Sequence, residues 1–357
     1  MNMNIEKLSL KSPSYKYYLI QVLRLIAAFM VIILHSTFYT SERLEIGVPI
    51  YHHGANGVKL FFAISGFVMI VSSENLKENI GAWKDFAIKR IIRIVPIYWI
   101  VTSYKLIMLI FASSLIYHAT IDPYYILKSY FFIPAINAEG SNSPLLGVGW
   151  TLNFEMFFYL LFTIALALRW NTIVFLSMIF IPLSVLSTYK TDHWPAISFY
   201  ADPILLDFLY GMIAAKLILK SKKLIPIIAV PIIIISLMYL FLPGMEPILG
   251  IYYRNYIITG IAAFLVVYGA ASIENLYGHK MPTWLIYLGG ASYSLYLIHP
   301  IIAPLSPTML KLLHLKLPLL SVLISIVIAI IGGTIFYKFC EKPLTQFLSK
   351  WANRKLI

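Results

Sequence analysis

Two ionisable side chains lie in an otherwise apolar stretch near the start of the sequence, LRLIAAFMVIILHS, residues 23–36. Arg24 and His35 are eleven residues apart, and eleven helical steps of about 100° return almost to the starting direction. In a helix both side chains would share one face, about 16 Å apart along the axis. A guanidinium binds anions and an imidazole accepts protons, so this face could combine anion binding with general-base catalysis. The plainer alternative is an arginine that reaches the lipid headgroups and a histidine hydrogen-bonded between helices.

Polar residues recur in two later apolar stretches. Glu155 follows Trp150 by five residues in WTLNFEMFFYLLF. His299 follows Tyr296 by three residues in ASYSLYLIHP, a spacing that places the two side chains on one helix face. Counting residues from the outer helix ends puts His35, Glu155 and His299 at a similar depth. A carboxylate beside an imidazole fixes its tautomer and raises its basicity, although such a pair could also merely hold helices together.

A basic cluster opens another apolar stretch, WKDFAIKRIIRIVPIYW. Arg90 and Arg93 are three residues apart, so their guanidinium groups share a helix face that could bind phosphates. The alternative is a topology signal, since cationic residues accumulate on the cytoplasmic side of membrane proteins.

The elements that must position these residues are membrane-spanning helices. Of the 357 residues, 60% are hydrophobic and only 12% are charged, and the apolar runs have the length that a helix needs to cross a bilayer. We therefore predict an all-α, polytopic helical bundle forming a single domain over residues 1–357, with short tails at 1–17 and 339–357. The predicted spans are 18–39, 56–74, 92–112, 150–169, 172–188, 203–219, 224–242, 255–272, 284–305 and 319–338. Within 113–149 we expect a short interfacial or re-entrant helix in YYILKSYFFIPA and a loop in GSNSPLLGVG.

The net charge of +13 is explained by topology. With the N-terminus in the cytoplasm, nineteen of the 28 lysines and arginines fall on the inner side and six on the outer side, which predicts that both termini are cytoplasmic. The expected partners of this basic charge are membrane lipids, and nucleic-acid binding is not expected.

Metal chemistry is not expected either. The single cysteine, Cys340, excludes an internal disulfide and a cysteine-based zinc site. The adjacent His52 and His53 cannot offer both rings to one ion, because neighbouring side chains diverge in regular structure. We predict no metal and no prosthetic group.

Six stretches together resemble the acyltransferase 3 family, over roughly residues 20–345. More narrowly, they are similar to bacterial exopolysaccharide and lipopolysaccharide O-acetyltransferases. The stretches occur in the family's order: LRLIAAFMVIILH, GVKLFFAISGFVM, FAIKRIIRIVPIYW, GVGWTLNFEMFFYLLF, LLDFLYGMIAA and LGGASYSLYLIHP.

The resemblance implies a multi-pass protein of the bacterial inner membrane. Such a protein transfers an acetyl group from cytoplasmic acetyl-CoA to a carbohydrate acceptor, free or lipid-linked, at the outer face. Arg24, Arg90 and Arg93 match family positions that would bind the donor. His35 would deprotonate the sugar hydroxyl or carry the acetyl group itself, and the sequence leaves both routes open.

The resemblance also implies that Glu155 orients His35 or stabilises its charge. We expect Trp150, Tyr296 and His299 to contact the acceptor. One departure is Lys59, where relatives commonly carry an acidic residue, and we expect its side chain to reach the outer headgroups. The rival functions are a transporter or flippase for a glycolipid or small anionic metabolite, and a catalytically silent scaffold.

Overall fold

The computed structural model describes residues 17–74, 81–113, 119–137, 140–191, 194–242 and 252–355. Every regular element within these ranges is helical, which confirms the predicted all-α class. The α-helices of the described part are α1 Tyr18–Leu44, α2 Asn56–Ser73, α3 Ala82–Phe111, α4 Pro123–Tyr130, α5 Trp150–Ala167, α6 Thr172–Leu186, α7 Leu205–Leu219, α8 Pro226–Phe241, α9 Tyr252–Tyr277, α10 Thr283–Gly290, α11 Ser292–Ile302, α12 Leu305–Leu312, α13 Pro318–Phe336 and α14 Lys342–Lys355. Below, the end of the bundle where α1 begins is called proximal, and the end where α1 terminates is called distal.

Each of the ten predicted spans coincides with helical structure. Seven helical stretches among the described residues are long and apolar enough to cross a bilayer, and a bent pair, α10 with α11–α12, makes an eighth. The helices α7 and α8 have only 15 and 16 residues, fewer than the roughly 17–25 that a span requires. The chain is a multi-pass membrane protein, while the count of ten and the orientation of the termini stay predictions.

The predicted span 284–305 is not one straight helix. Its axis bends by 66° between Gly290 and Ser292, where two glycines, Gly289 and Gly290, weaken the helix. A Cβ at Gly289 would come within 2.0 Å of the backbone oxygen of Gln21, so α10 packs on α1 at a distance that only glycine permits. The bend turns the first residues of α11 toward α1.

The helix that contains the predicted span 319–338 does not end at residue 338. The helix continues through a π-helical turn, Tyr337–Glu341, into α14. Pro343 has no N–H for the carbonyl four residues earlier and its ring crowds that carbonyl, so a wider turn accommodates it without ending the helix. Residues 356–357 lie outside the described ranges.

The region between α3 and α5 contains the short helix and the loop that were predicted from the sequence. The short helix α4 begins after Asp122, whose side chain accepts a hydrogen bond from Tyr125 N. The described residues from 131 to 146 are irregular, and Gly147–Gly149 form a 3₁₀ turn that leads into α5.

The helix α1 carries Arg24 and His35, and contacts at both of its ends fix its position. Its first turn has no cap from its own sequence. Instead, the Glu274 carboxylate on α9 accepts hydrogen bonds from Tyr18 N at 2.7 Å and Leu19 N at 2.9 Å, which satisfies two N–H groups that a helix start leaves free. At the distal end Lys311 pairs with Glu45 at 2.5 Å, and this contact lowers the pKa of the exposed Glu45 carboxyl.

The helices α2 and α7 cross in very close contact. A Cβ at Gly211 would lie 1.8 Å from the backbone oxygen of Ala63, and one at Gly66 would lie 2.0 Å from that of Phe208. Small residues of this kind let membrane helices pack backbone to backbone.

Lys59 lies near this crossing and does not reach the headgroups as expected from the sequence. Its side chain is buried, with Nζ 3.5 Å from Asp207 Oδ2 and 3.3 Å from the Tyr256 carbonyl oxygen. The ammonium also lies 3.7 Å from the centre of the Tyr256 ring. A carboxylate on a neighbouring helix therefore provides the partner that the headgroups were expected to provide.

Candidate active site

A cavity of about 110 Å³ lies inside the bundle, between α1, α2, α3, α5 and α11. Its lining includes all three arginines singled out in the sequence, Arg24, Arg90 and Arg93, together with Glu155 and Tyr296. The structure thus brings the predicted donor-binding residues to one place from two different helices.

Two of these arginines have uncharged hydrogen-bond partners. Arg24 Nε donates to Ser292 Oγ at 3.1 Å, at the bend that begins α11. Arg90 Nη2 donates to Ser72 Oγ at 3.1 Å, and its guanidinium lies 5.3 Å from the Phe86 ring centre. Since a hydroxyl does not neutralise a guanidinium, both groups keep their charge available for an anion.

The third arginine has a charged partner. Arg93 Nη1 donates to Glu341 Oε1 at 2.5 Å, and Glu341 is fully buried. The other carboxylate oxygen, Oε2, accepts from Ser294 Oγ at 2.5 Å. Sequence reasoning missed Glu341 because it fell in the predicted tail. The signal that could have revealed Glu341 is its position in helical register with the last predicted span.

Glu155 does not lie beside His35 as the sequence reasoning predicted. Its carboxylate accepts hydrogen bonds from Ser65 Oγ at 3.2 Å and from the Tyr159 hydroxyl. It is part of the arginine-lined cavity, and its hydrogen bonds go to Ser65 and Tyr159 in place of the imidazole.

The depth count failed because α5 begins deeper in the bundle than was assumed. The Thr151 hydroxyl lies 2.9 Å from that of Tyr296, so the first turn of α5 is level with Tyr296. Tyr296 is already about 4.5 Å proximal to His299 along α11, and Glu155 is a further 6 Å or so along α5. Glu155 therefore lies roughly 10 Å nearer the proximal end of the bundle than His299.

His35 instead lies against His299. Nδ1 of His35 is 3.1 Å from Nε2 of His299, and the ring centres are 4.9 Å apart. Arg24 and His35 both contact α11, through Ser292 and His299. This confirms that the two α1 side chains share one face.

Backbone carbonyls determine the tautomers of both neutral rings. His299 Nδ1 lies 3.1 Å from the Leu295 oxygen; a carbonyl only accepts, so Nδ1 carries the proton and Nε2 has a lone pair. His35 Nδ1 lies 3.0 Å from the Val31 oxygen and also faces that lone pair, so it too carries a proton. Of the four ring nitrogens in the two histidines, His35 Nε2 keeps a lone pair that faces neither ring. A base or a nucleophile requires a lone pair of this kind.

Tyr296 lies between the cavity and the histidines. Its ring centre is 5.8 Å from that of His299 and 5.8 Å from that of Phe61, which lines the cavity. Its hydroxyl donates to the Val148 oxygen at 3.1 Å, so the ring is fixed at the distal end of the cavity.

The other predicted residues stand apart from the cavity. His35, His299 and Trp150 are not among its lining residues. Trp150 packs edge-on against Phe154, with ring centres 6.1 Å apart. Within the described ranges no three histidine, cysteine or carboxylate side chains come together as metal ligands.

The sequence matches the model of a known family, described as an acyltransferase domain, over residues 17–338. The chain is also 32% identical over 256 residues to the exopolysaccharide production protein ExoZ of Rhizobium meliloti (strain 1021), covering 70% of this chain and 77% of that protein. No solved structure is significantly similar. Because the family match spans most of the chain, it confirms the resemblance, and this protein is an enzyme that belongs to the acyltransferase 3 family.

Proposed function

We propose that this acyltransferase moves an acetyl group from cytoplasmic acetyl-CoA to a sugar hydroxyl of a surface polysaccharide, within the bacterial inner membrane. One observation carries the proposal: a cavity with three guanidinium groups lies inside an apolar bundle and ends at Tyr296, next to a histidine pair with a free lone pair. The name of the Rhizobium relative favours exopolysaccharide as the acceptor class, and lipopolysaccharide O-antigen and capsule have the same hydroxyl chemistry.

The charge of the cavity suits a phosphate-bearing donor. Arg24, Arg90 and Arg93 contribute three positive charges, and Glu155 and Glu341 oppose two of them. Guanidinium groups bind phosphate oxygens through paired hydrogen bonds. Coenzyme A bound there by its phosphates would extend its thioester arm toward His35, about 16 Å from Arg24 along α1.

The cavity must widen to admit this donor. Its volume of about 110 Å³ is well below the roughly 300–1,000 Å³ of sites that bind drug-sized ligands. The helices around it therefore separate when the donor binds.

The reaction follows from the tautomer of His35. Its Nε2 takes the proton of the acceptor hydroxyl, and the oxygen attacks the thioester carbonyl carbon. A carbon–oxygen bond forms, the carbon–sulfur bond breaks, and the departing thiolate takes the proton back from the imidazolium. In the other route Nε2 attacks the thioester first: a carbon–nitrogen bond forms, the carbon–sulfur bond breaks and the thiolate leaves. The acceptor oxygen then attacks the acetyl carbon, the carbon–nitrogen bond breaks, and the hydroxyl proton passes to the thiolate. Both routes need the same lone pair.

His299 performs the task that the sequence reasoning gave to Glu155. Its Nε2 accepts the Nδ1–H of His35, which holds the neutral ring in the reactive tautomer. When His35 is protonated or acetylated, this hydrogen bond becomes charge-assisted and therefore stronger. We accordingly assign Glu155 to the donor cavity, where it opposes the arginine charges and holds Tyr159.

The test is mass spectrometry of the surface polysaccharide from wild-type, deletion and variant strains. Both the deletion and His35→Ala should remove one acetyl increment from a defined sugar, since losing a general base lowers rates about 10²–10⁴-fold. His35→Gln should be equally inactive. His52→Ala, which changes an exposed histidine, is the matched control and should leave acetylation intact.

Three results would contradict the proposal. Full acetylation with His35→Ala would exclude the mechanism and agree with a scaffold. An unchanged polysaccharide in the deletion strain would exclude this acceptor class. Transport of a glycolipid by purified protein without covalent change would favour the transporter.

A further inference from the structure

Glu341 is a fully buried carboxylate that neither proton transfer nor acceptor binding uses. It terminates the π-helical turn Tyr337–Glu341, which points it into the bundle toward Arg93. π-helical turns occur frequently at functional sites. Its two contacts, to Arg93 and Ser294, are both 2.5 Å long, so each carboxylate oxygen has one partner.

The first three residues of α11 connect this carboxylate to the arginines of the cavity. Ser292 accepts from Arg24, and Ser294 donates to Glu341. Tyr293 lies between these two serines in the sequence, and its ring centre is 5.6 Å from the guanidinium carbon of Arg93. After the bend, Ser292 and Tyr293 therefore line the proposed donor site, and Ser294 contacts Glu341 beside it.

The ion pair between Arg93 and Glu341 offsets the buried negative charge of Glu341 next to the cavity. Nη1 of Arg93 donates to Glu341, and the structure shows no other hydrogen bond of this guanidinium within the described residues. Its remaining N–H groups can bind a phosphate, but that phosphate then lies close to the negative charge of Glu341. Without Glu341 the guanidinium of Arg93, whose side chain is 28% exposed, would lose its ionic partner, and an incoming anion would replace that partner.

We propose that Glu341 is a positioning residue that acts through Arg93: it holds the guanidinium in place and keeps the affinity for coenzyme A low enough for the product to leave. This inference rests on the proposed function, because it takes the cavity as the coenzyme A site. It assigns to the last helix a role in donor affinity and product release.

Glu341→Gln separates charge from shape. The amide keeps the size of the side chain, its oxygen still accepts from Arg93, and its N–H₂ can donate to Ser294. Coenzyme A titrated into the full chain in lipid nanodiscs should bind at least about tenfold more tightly to E341Q, the factor that corresponds to about 1.4 kcal/mol. KM for acetyl-CoA should fall and kcat should fall with it, because release of the product slows.

Two controls distinguish this effect from a loosened structure. Glu341→Asp keeps the charge, so its affinity for coenzyme A should stay within about twofold of wild type, a difference well under 1.4 kcal/mol. Asp207→Asn removes another buried carboxylate, which pairs with Lys59 and does not line the cavity. It should leave the affinity for coenzyme A unchanged.

If E341Q does not fold, Arg93→Gln/Glu341→Gln carries the test, since it leaves no unpaired buried charge. Coenzyme A should bind this double variant more tightly than it binds Arg93→Gln alone, because only the single variant leaves the Glu341 carboxylate without a counter-charge. A double variant that binds no more tightly than Arg93→Gln, or unchanged or weaker binding in folded E341Q, would overturn the inference alone. Wild-type protein that does not bind coenzyme A would overturn the proposed function as well.

Discussion

Asp207→Asn should destabilise the fold strongly, because it leaves the Lys59 ammonium buried without its counter-charge. The two side chains are 8% and 2% exposed, and their charged atoms are 3.5 Å apart. At an effective dielectric constant of about 20 this separation corresponds to roughly 5 kcal/mol of attraction.

The expected loss is smaller than this attraction, because Asp207→Asn also removes the cost of burying a carboxylate charge. The Tyr256 ring and carbonyl oxygen face the ammonium in both proteins, so these contacts cancel in the comparison. We therefore expect a loss of about 3 kcal/mol in the free energy of unfolding, at the lower end of values for broken buried pairs. That is roughly a 150-fold change in the ratio of unfolded to folded protein.

Reversible unfolding in mixed micelles containing sodium dodecyl sulfate, followed by circular dichroism, measures this loss. Lys59→Met/Asp207→Leu removes both charges and serves as the matched variant. It should recover about 2 kcal/mol or more relative to Asp207→Asn, because apolar residues of similar size replace buried ion pairs with little loss. Asp207→Asn as stable as wild type, or a double variant no more stable than the single one, would refute the reasoning.

Three further predictions concern the residues that position the site. His299→Ala should lower kcat about 10–150-fold, as expected for losing a hydrogen bond to a charged group. His299→Gln keeps an acceptor for His35 and should retain more activity. Equal activity in wild type and His299→Ala would exclude the assigned role. Gly211→Ala should destabilise by at least about 1–3 kcal/mol through overpacking, while Gly47→Ala, where a Cβ meets nothing within 4 Å, should be neutral in the same unfolding assay. Glu274→Gln should cost about 1 kcal/mol as a lost helix cap and speed hydrogen exchange in the first turn of α1 only; unchanged exchange there would contradict the capping.

The sequence predicted the helices well, because the length of each apolar run is set by the thickness of a bilayer. It also predicted that Arg24 and His35 share one helix face and that Arg90 and Arg93 share another, since the helical repeat alone fixes both relations. These are properties of single helices, which a residue count captures.

Relations between helices were harder to predict. The depth of Glu155 depends on where α5 begins relative to α11, and no residue count contains that offset. The bend at Gly290 lies where Gly289 packs on α1, a contact between elements far apart in the sequence. Glu341 was missed because the helix continues past Pro343 through a π-helical turn, although proline commonly marks a helix boundary.

The cap on α1 has a consequence for how the protein is made. Tyr18 and Glu274 are 256 residues apart in the chain, so α1 leaves the ribosome long before its cap exists. At about 5–20 residues per second, translation takes roughly 13–50 s to cover that distance. During this interval the first turn of α1 must meet lipid headgroups or water with two unsatisfied N–H groups. The helix that carries His35 therefore acquires this cap only after α9 has been made, shortly before α11 supplies His299.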